Sequence, residues 1–264
     1  MIKFVLAARR KREDTQERYF YEWGIIHVAL MITCPGVMQT FRRYVQHYSV
    51  SGIDDSMLIH PLSKMEWDNF ADHVVDDFAG FQASTRLADY VARMQPHKFG
   101  DGNFVAALTV PETVIEEPGF ESGVGGVKLL HFLKRKAGTT QAEFAAAFTG
   151  SHAAMYQRLN AQRPLLRKYL RNLPLDVPRD NFKGSLFEKA DLDAVSGIEE
   201  FWFRNLDDLL QFRRDAAWHD AIRASEAGFI DDAGSFSMVT TERVIYDYTR
   251  GAQSSPRAAV LDPA

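Results

Sequence analysis

The sequence predicts an α+β fold made of two consecutive β-α-β-β-α-β units. Three observations predict it: an ungapped internal repeat, strand-like and helix-like hydrophobic periods in the same order twice, and a Pro/Gly/acidic join between the copies. Within 264 residues, Ile2-Lys3-Phe4-Val5-Leu6 returns as Val127-Lys128-Leu129-Leu130-His131, a shift of 125 (127 − 2). The same shift lays Thr15-Gln16 on Thr140-Gln141, Tyr19 on Phe144, Trp23 on Phe148, His27 on His152, and Arg42-Arg43-Tyr44 on Arg167-Lys168-Tyr169.

The second copy gives the clearer signals. Residues 127–133 are an apolar run bounded by Gly125-Gly126 and by Ala137-Gly138-Thr139-Thr140, the pattern of a strand. Thr140 is placed as a helix N-cap, with Glu143 completing a capping box. Phe144, Phe148, His152 and Met155 then recur on one helical face, and Pro164 stops the helix. Residues 167–173 and 198–203 read as strands, 206–224 as a helix, and 236–246 as the last strand.

The first copy repeats that order. Its expected elements are a strand at 4–8, a helix at 15–32 ending near Pro35-Gly36, strands at 40–48 and 57–67, a helix at 70–94 and a strand at 104–114. Trp67-Asp68-Asn69-Phe70-Ala71-Asp72 matches Phe203-Arg204-Asn205-Leu206-Asp207-Asp208 at a shift of 136 (203 − 67), which predicts a longer connection around residues 176–195 of the second copy. The expected domains are 1–116 and 127–250, with 117–126 as a linker, flexible at its glycines, and 251–264 as a disordered tail. A β-α-β-β-α-β unit forms a four-stranded antiparallel sheet with both helices on one face, the ferredoxin-like arrangement. Two such units can cover their bare faces by packing sheet against sheet.

Composition narrows the function. The chain is 46% apolar and 25% charged with a net charge of −4, so it lacks the concentrated basic face that nucleic acid requires. Cys34 is the single cysteine, which removes intrachain disulfides and cysteine-based zinc sites and suits a reducing cytoplasm. The basic cluster Arg9-Arg10-Lys11-Arg12 follows the first apolar stretch, the reverse of a secretory signal, and the run at 25–33 is too short to cross a bilayer. The expected location is cytoplasmic, with no membrane partner.

The Val127-Lys128-Leu129-Leu130-His131-Phe132-Leu133-Lys134-Arg135-Lys136 opening, the Phe148-Thr149-Gly150-Ser151-His152-Ala153 segment and the Phe201-Trp202-Phe203 strand with Asn205-Leu206-Asp207-Asp208-Leu209 together resemble the EthD branch of the dimeric α/β-barrel superfamily. The resemblance spans both copies and is stronger in the second. The first copy keeps Trp23 and His27 but has Met65-Glu66-Trp67 where the aromatic strand is expected. The resemblance implies an intrachain dimeric α/β barrel. It also implies activity on aromatic or polyketide-like compounds, in a superfamily that includes cyclases, dehydratases, cofactor-free monooxygenases and haem proteins.

A histidine near its ordinary pKa can take and return a proton at neutral pH, which suits enolisation, dehydration, decarboxylation or cyclisation of a carbonyl compound. His152 and His27 are therefore the candidate acid/base residues, against the plainer reading of a histidine satisfied at a helix-sheet interface. Tyr169 and Tyr44 are the candidate oxygen-binding partners. Trp23, Phe148, Trp202, Trp67 and His131 are candidate pocket residues, although aromatics at such spacings commonly fill a core. His60, His73, His97 and His219 form no pair at metal-ligand spacing, so no metal and no cofactor are expected. The leading expectation is a cofactor-independent lyase or isomerase acting on a small hydrophobic or aromatic carbonyl compound. The alternatives are a cofactor-free monooxygenase of a phenolic or anthrone-like substrate and a non-catalytic small-molecule-binding protein. Pairing of two chains into a homodimer of the tandem pseudo-dimer is compatible with this architecture.

Overall fold

Each copy contributes four strands, and a computed structural model places all eight in one closed antiparallel barrel. It describes residues 1–64, 66–95 and 99–249; Arg250 and the tail expected at 251–264 lie outside the described residues, as does His97. The strands are β1 (Ile2–Arg10), β2 (Phe41–Ser49), β3 (Asn69–Val75), β4 (Gly100–Glu116), β5 (Val127–Leu133), β6 (Lys168–Pro174), β7 (Gly197–Phe203) and β8 (Phe236–Asp247). Their order around the barrel is β1-β3-β2-β8-β5-β7-β6-β4. The copies are joined edge to edge through β2–β8 and β4–β6, not stacked sheet on sheet as expected. The length of β4 allows this, because it pairs with β1 through Thr109 and then with β6 as far as Glu116. Closure hides every strand edge.

Side chains alternate between the barrel lumen and an outer helical layer. Val5, Ala7, Leu130 and Phe132 share one buried cluster drawn from both halves. Lys3 and Lys128, equivalent under the repeat, are buried among carboxylates: Lys3 lies 3.5 Å from Asp72 and also pairs with Glu200, while Lys128 lies 2.5 Å from Glu200 and 3.6 Å from Glu242. The first half's helices are α1 (Gln16–Tyr21), α2 (Val28–Ile32), α3 (Pro35–Met38), α4 (Phe78–Thr85) and α5 (Ala88–Met94); the second half's are α6 (Gln141–Ala147), α7 (Ala153–Gln162), α8 (Leu206–Arg214) and α9 (Ala216–Glu226). Thr140 caps α6 and forms the expected box with Glu143. The helix expected at 206–224 is two helices, because the Asp215 side chain accepts from the backbone of Ala217 and Trp218 and starts a new one.

The third strand of the first half corrects the sequence reading. It lies at Asn69–Val75, overlapping the start of the helix expected at 70–94, and the expected strand at 57–67 is mostly irregular among its described residues. β3 is buried on both faces and carries Asp72 and His73 side by side, so the alternation that marks a half-buried strand is missing. Ile2 pairs with Val75 and Val127 with Phe203, which makes the true shift at this strand 128 (203 − 75) instead of 136.

The connections between the second and third strands cross over reciprocally. Residues 50–68 of the first half place Leu58 and Ile59 in the core formed by Tyr156, Leu209, Phe212 and Trp218, and Arg213 Nε donates to the Leu58 carbonyl at 2.7 Å. Residues 175–196 of the second half place Phe187 4.8 Å from Phe4 and 5.9 Å from Phe81, ring to ring, and the Asp191 amide donates to the Phe104 carbonyl at 3.0 Å. Full burial of a large apolar side chain is worth about 1.5–3 kcal/mol, so the buried Leu58 and Ile59 make the first arm a substantial clamp, and the half-buried Phe187 contributes less. The segment at 117–126 is mostly exposed and is anchored at two points. Phe120 lies 5.8 Å from Trp202, and the Gly123 amide donates to Glu242 at 2.6 Å. At Gly126, with φ 84°, a Cβ would meet the Phe203 carbonyl oxygen at 2.4 Å. Among the described residues, no helix is long and apolar enough to cross a membrane.

Candidate active site

His27 and His152 occupy matching places in matching distortions. The first long helical run is interrupted by a π-helical turn over Glu22–His27, the second by one over Phe148–His152, and each histidine ends its turn. A π turn shifts the side-chain register and is common at functional sites. Beneath each histidine lies the outer face of its own sheet. There the partners differ.

In the second half, His152 meets Glu199 of β7. Its Nε2 lies 3.1 Å from Glu199 Oε1, and its Nδ1 lies 2.8 Å from Ser225 Oγ. The Tyr169 hydroxyl donates to the same Glu199 oxygen at 2.6 Å, and His131 Nδ1 lies 3.3 Å from the other. His152, Glu199, Tyr169 and His131 are fully buried. Burial opposes charge on Glu199, but the His152 charge and the hydrogen bonds from His131 and His152 outweigh it and hold the carboxyl far below its ordinary range. Burial likewise opposes the imidazolium of His152, yet Glu199 raises its pKa above the ordinary value, while His131 is lowered, chiefly by burial. The Tyr169 phenol is pushed well up by burial and then by Glu199. Tyr156, Phe229 and Phe148 pack around the His152 ring at 5.1, 5.4 and 6.1 Å between centroids. This arrangement is a hydrogen-bonded core filled by its own side chains.

In the first half, the corresponding space is a cavity of about 950 Å³. Ladder positions show why: Ala71 faces Leu6 as Glu199 faces His131, so the first half has alanine and leucine where the second has carboxylate and imidazole. The floor is the outer face of β1 and β3, including Leu6, Ala71 and His73; Trp23, His27 and Tyr90 come from the helices, and Leu186 and Phe187 reach in from the second half. Its size suits a small organic ligand. His27 lies 4.9 Å from the Phe99 ring. His73, only 6% exposed, stacks on Tyr44 at 4.2 Å, and its Nδ1 has no hydrogen-bond partner. Burial lowers the His73 pKa to about 4, so the ring is neutral at physiological pH. Burial raises the Tyr90 phenol, which stays protonated as a donor.

The candidates from sequence therefore separate into groups. Trp23 and His27 line the cavity. His152, Tyr169 and His131 share the Glu199 cluster, with Phe148 against it. Tyr44 is buried behind His73, where its hydroxyl accepts from Gln46 Nε2 at 2.8 Å. Trp67 packs in the barrel lumen, and Trp202 lies 4.1 Å from Lys128 Nζ; neither joins a histidine. His73, Tyr90 and Glu199 were missed. For Glu199, the signal available was the acidic pair Glu199-Glu200 inside an otherwise apolar strand. The metal expectation considered only neighbours in sequence. In space, ligand atoms of His152, Glu199 and Glu226 lie within 4.8 Å of one another, as do those of His60, Glu226 and Asp232.

Comparison with known proteins agrees with this architecture. The family model described as the EthD domain matches residues 136–233. The structure is similar to that of an anthrone oxidase-like protein, with a TM-score of 0.59, 12% identity, and coverage of 95% of this chain and 96% of the other. It is also similar to a candidate monooxygenase from Fusobacterium nucleatum, with a TM-score of 0.54, 10% identity, and coverage of 92% and 93% respectively. No curated protein matches in sequence. At these identities the likeness concerns the fold. The chain thus resembles the EthD domain over residues 136–233, and over nearly its whole length it shares its fold with an anthrone oxidase-like protein.

Proposed function

We propose that the chain is a cytoplasmic enzyme that removes a proton from a small hydrophobic or aromatic carbonyl compound held in the first-half cavity, in lyase or isomerase chemistry without a cofactor. On this reading the halves at 1–116 and 127–250 are tandem ferredoxin-like units, of which the first reacts and the second supports. One observation carries it: an apolar space of about 950 Å³ with the imidazoles of His27 and His73 in its wall. A neutral imidazole accepts a proton from carbon next to a carbonyl, or from a phenol, and can return it elsewhere on the substrate. The Tyr90 hydroxyl donates to the oxygen on which negative charge grows, a stronger interaction in an apolar enclosure than in water. His27 is the general base in this scheme, and Trp23 and Phe187 hold the ring system.

The oxygenase reading shares the first step, since a deprotonated phenol or anthrone is the species that reacts with oxygen. The likeness in fold to an anthrone oxidase-like protein is the reason to include it. The experiment is a panel of enolisable aromatic ketones and anthrones, followed by product analysis and an oxygen electrode with wild type, His27→Ala and His152→Ala. Turnover without oxygen uptake, lost in His27→Ala and retained in folded His152→Ala, is expected. Oxygen uptake matched to product would replace the lyase with the monooxygenase, and a tightly bound ligand returned unchanged would replace both with a binding protein.

A further inference from the structure

The second half's buried cluster contains more than His152 and Glu199. Glu226, at the end of α9, is 2% exposed, and its Oε1 lies 3.0 Å from Nε2 of His60, which arrives on the first half's crossing arm. Glu226 Oε2 and His131 Nε2 are buried with no hydrogen-bond partner. Two carboxylates thus sit among rings and imidazoles. The guanidinium of Arg223 approaches Glu226 Oε2 only to 3.8 Å and already binds Asp232 at 2.6 Å and the Ile59 carbonyl at 2.7 Å. Buried carboxylates need a compensating positive charge.

We propose that His152, Glu199 and Glu226 form a binding site for one divalent first-row transition-metal ion. One ligand atom from each lies within 4.8 Å of the other two. Two carboxylates neutralise a doubly charged ion, and one imidazole with carboxylate oxygens suits Mn²⁺, Fe²⁺ or Zn²⁺. His131 and Tyr169 hydrogen-bond Glu199 and fix its orientation, as groups behind a metal ligand do. Access exists through a cleft of about 550 Å³ that reaches Glu226 beside Arg223 and Asp232. The site is separate from the first-half cavity, so it stands or falls independently of the proposed reaction.

The test is titration of the chelator-treated full chain with Co²⁺, read by visible d–d absorption, with Zn²⁺ competition and thermal unfolding alongside. One equivalent per chain is expected, with a spectrum of nitrogen and oxygen donors at low coordination number and a raised Tm. Glu226→Gln should weaken uptake by about tenfold or more, whereas Asp220→Asn, at the exposed His219–Asp220 pair, should leave it unchanged. Loss of uptake in Asp220→Asn but not in Glu226→Gln would mean adventitious surface binding and overturn the proposal. Should Glu226→Gln fail to fold, wild type decides alone, because absence of stoichiometric uptake by the wild-type chain overturns the site.

Discussion

The two halves share a backbone plan and differ in what fills one space. Each places a histidine at the end of a π turn over the outer face of its sheet, and each receives an arm from the other half. The first half's arm delivers His60 to a polar, buried cluster; the second half's arm delivers Phe187 to an apolar cavity. Two ladder positions set the contrast, Leu6 against His131 and Ala71 against Glu199. Retention of a histidine in both copies is therefore weak evidence for two sites. Its surroundings decide whether it faces a ligand or a buried partner.

The largest effect is expected from emptying the second half. Glu199→Ala removes the partner of His131, His152 and Tyr169 together. It should cost about 3–5 kcal/mol in denaturant unfolding, because three buried polar groups lose their acceptor. A loss under about 1 kcal/mol would show that the cluster is not an energetic keystone. The converse change, Ala71→Glu, installs the second half's carboxylate in the first-half cavity. Ligand affinity should fall about a hundredfold, equivalent to about 2.7 kcal/mol, read by calorimetry with a hydrophobic aromatic ligand; unchanged affinity would place binding elsewhere.

The third prediction uses His73, whose second-half counterpart is Phe201. With a folded pKa of about 4 against an ordinary 6.5, the unfolded chain takes up this proton between those values and the folded chain does not. Its contribution is therefore complete above pH 6.5 and declines by about 3 kcal/mol as pH falls to 4. His73→Phe should flatten that part of the stability profile, and an unaltered profile would mean that His73 is not held neutral. The smallest effect belongs to Phe187→Ala at the crossing arm. It should cost about 1 kcal/mol of stability, since the residue is only half-buried, and raise KM several-fold with kcat nearly unchanged. A change in kcat alone would argue against a role in holding the ring system.

Much of the fold was legible because the repeat carried it. Strands β1, β2 and β4 to β8 and the helix around each of His27 and His152 follow from apolar periodicity, helped in the second half by the cap at Thr140. β3 was hidden because both of its faces are buried and polar side chains sit on each, a condition set by tertiary packing. The misplaced strand also gave the wrong offset between copies, and with it the pairings Ala71–Glu199 and His73–Phe201 were lost. Those pairings distinguish the halves. Without them the Phe201-Trp202-Phe203 strand is no guide to which histidine faces a ligand, because Trp202 lies beside Lys128 and away from either histidine. The crossing arms were illegible for a different reason: an irregular connection has no period, and nothing local says which half it covers.

The central claim is that the ligand site lies in the first half, under His27. A crystal structure of the chain with a bound anthrone or aromatic ketone tests it most directly. The account predicts ligand density between Trp23 and Phe187, with a ligand oxygen or acidic carbon within hydrogen-bond reach of His27 or His73, and the Glu199 cluster unchanged. Density against His152, or inside the barrel lumen beside Lys3 and Lys128, would contradict it.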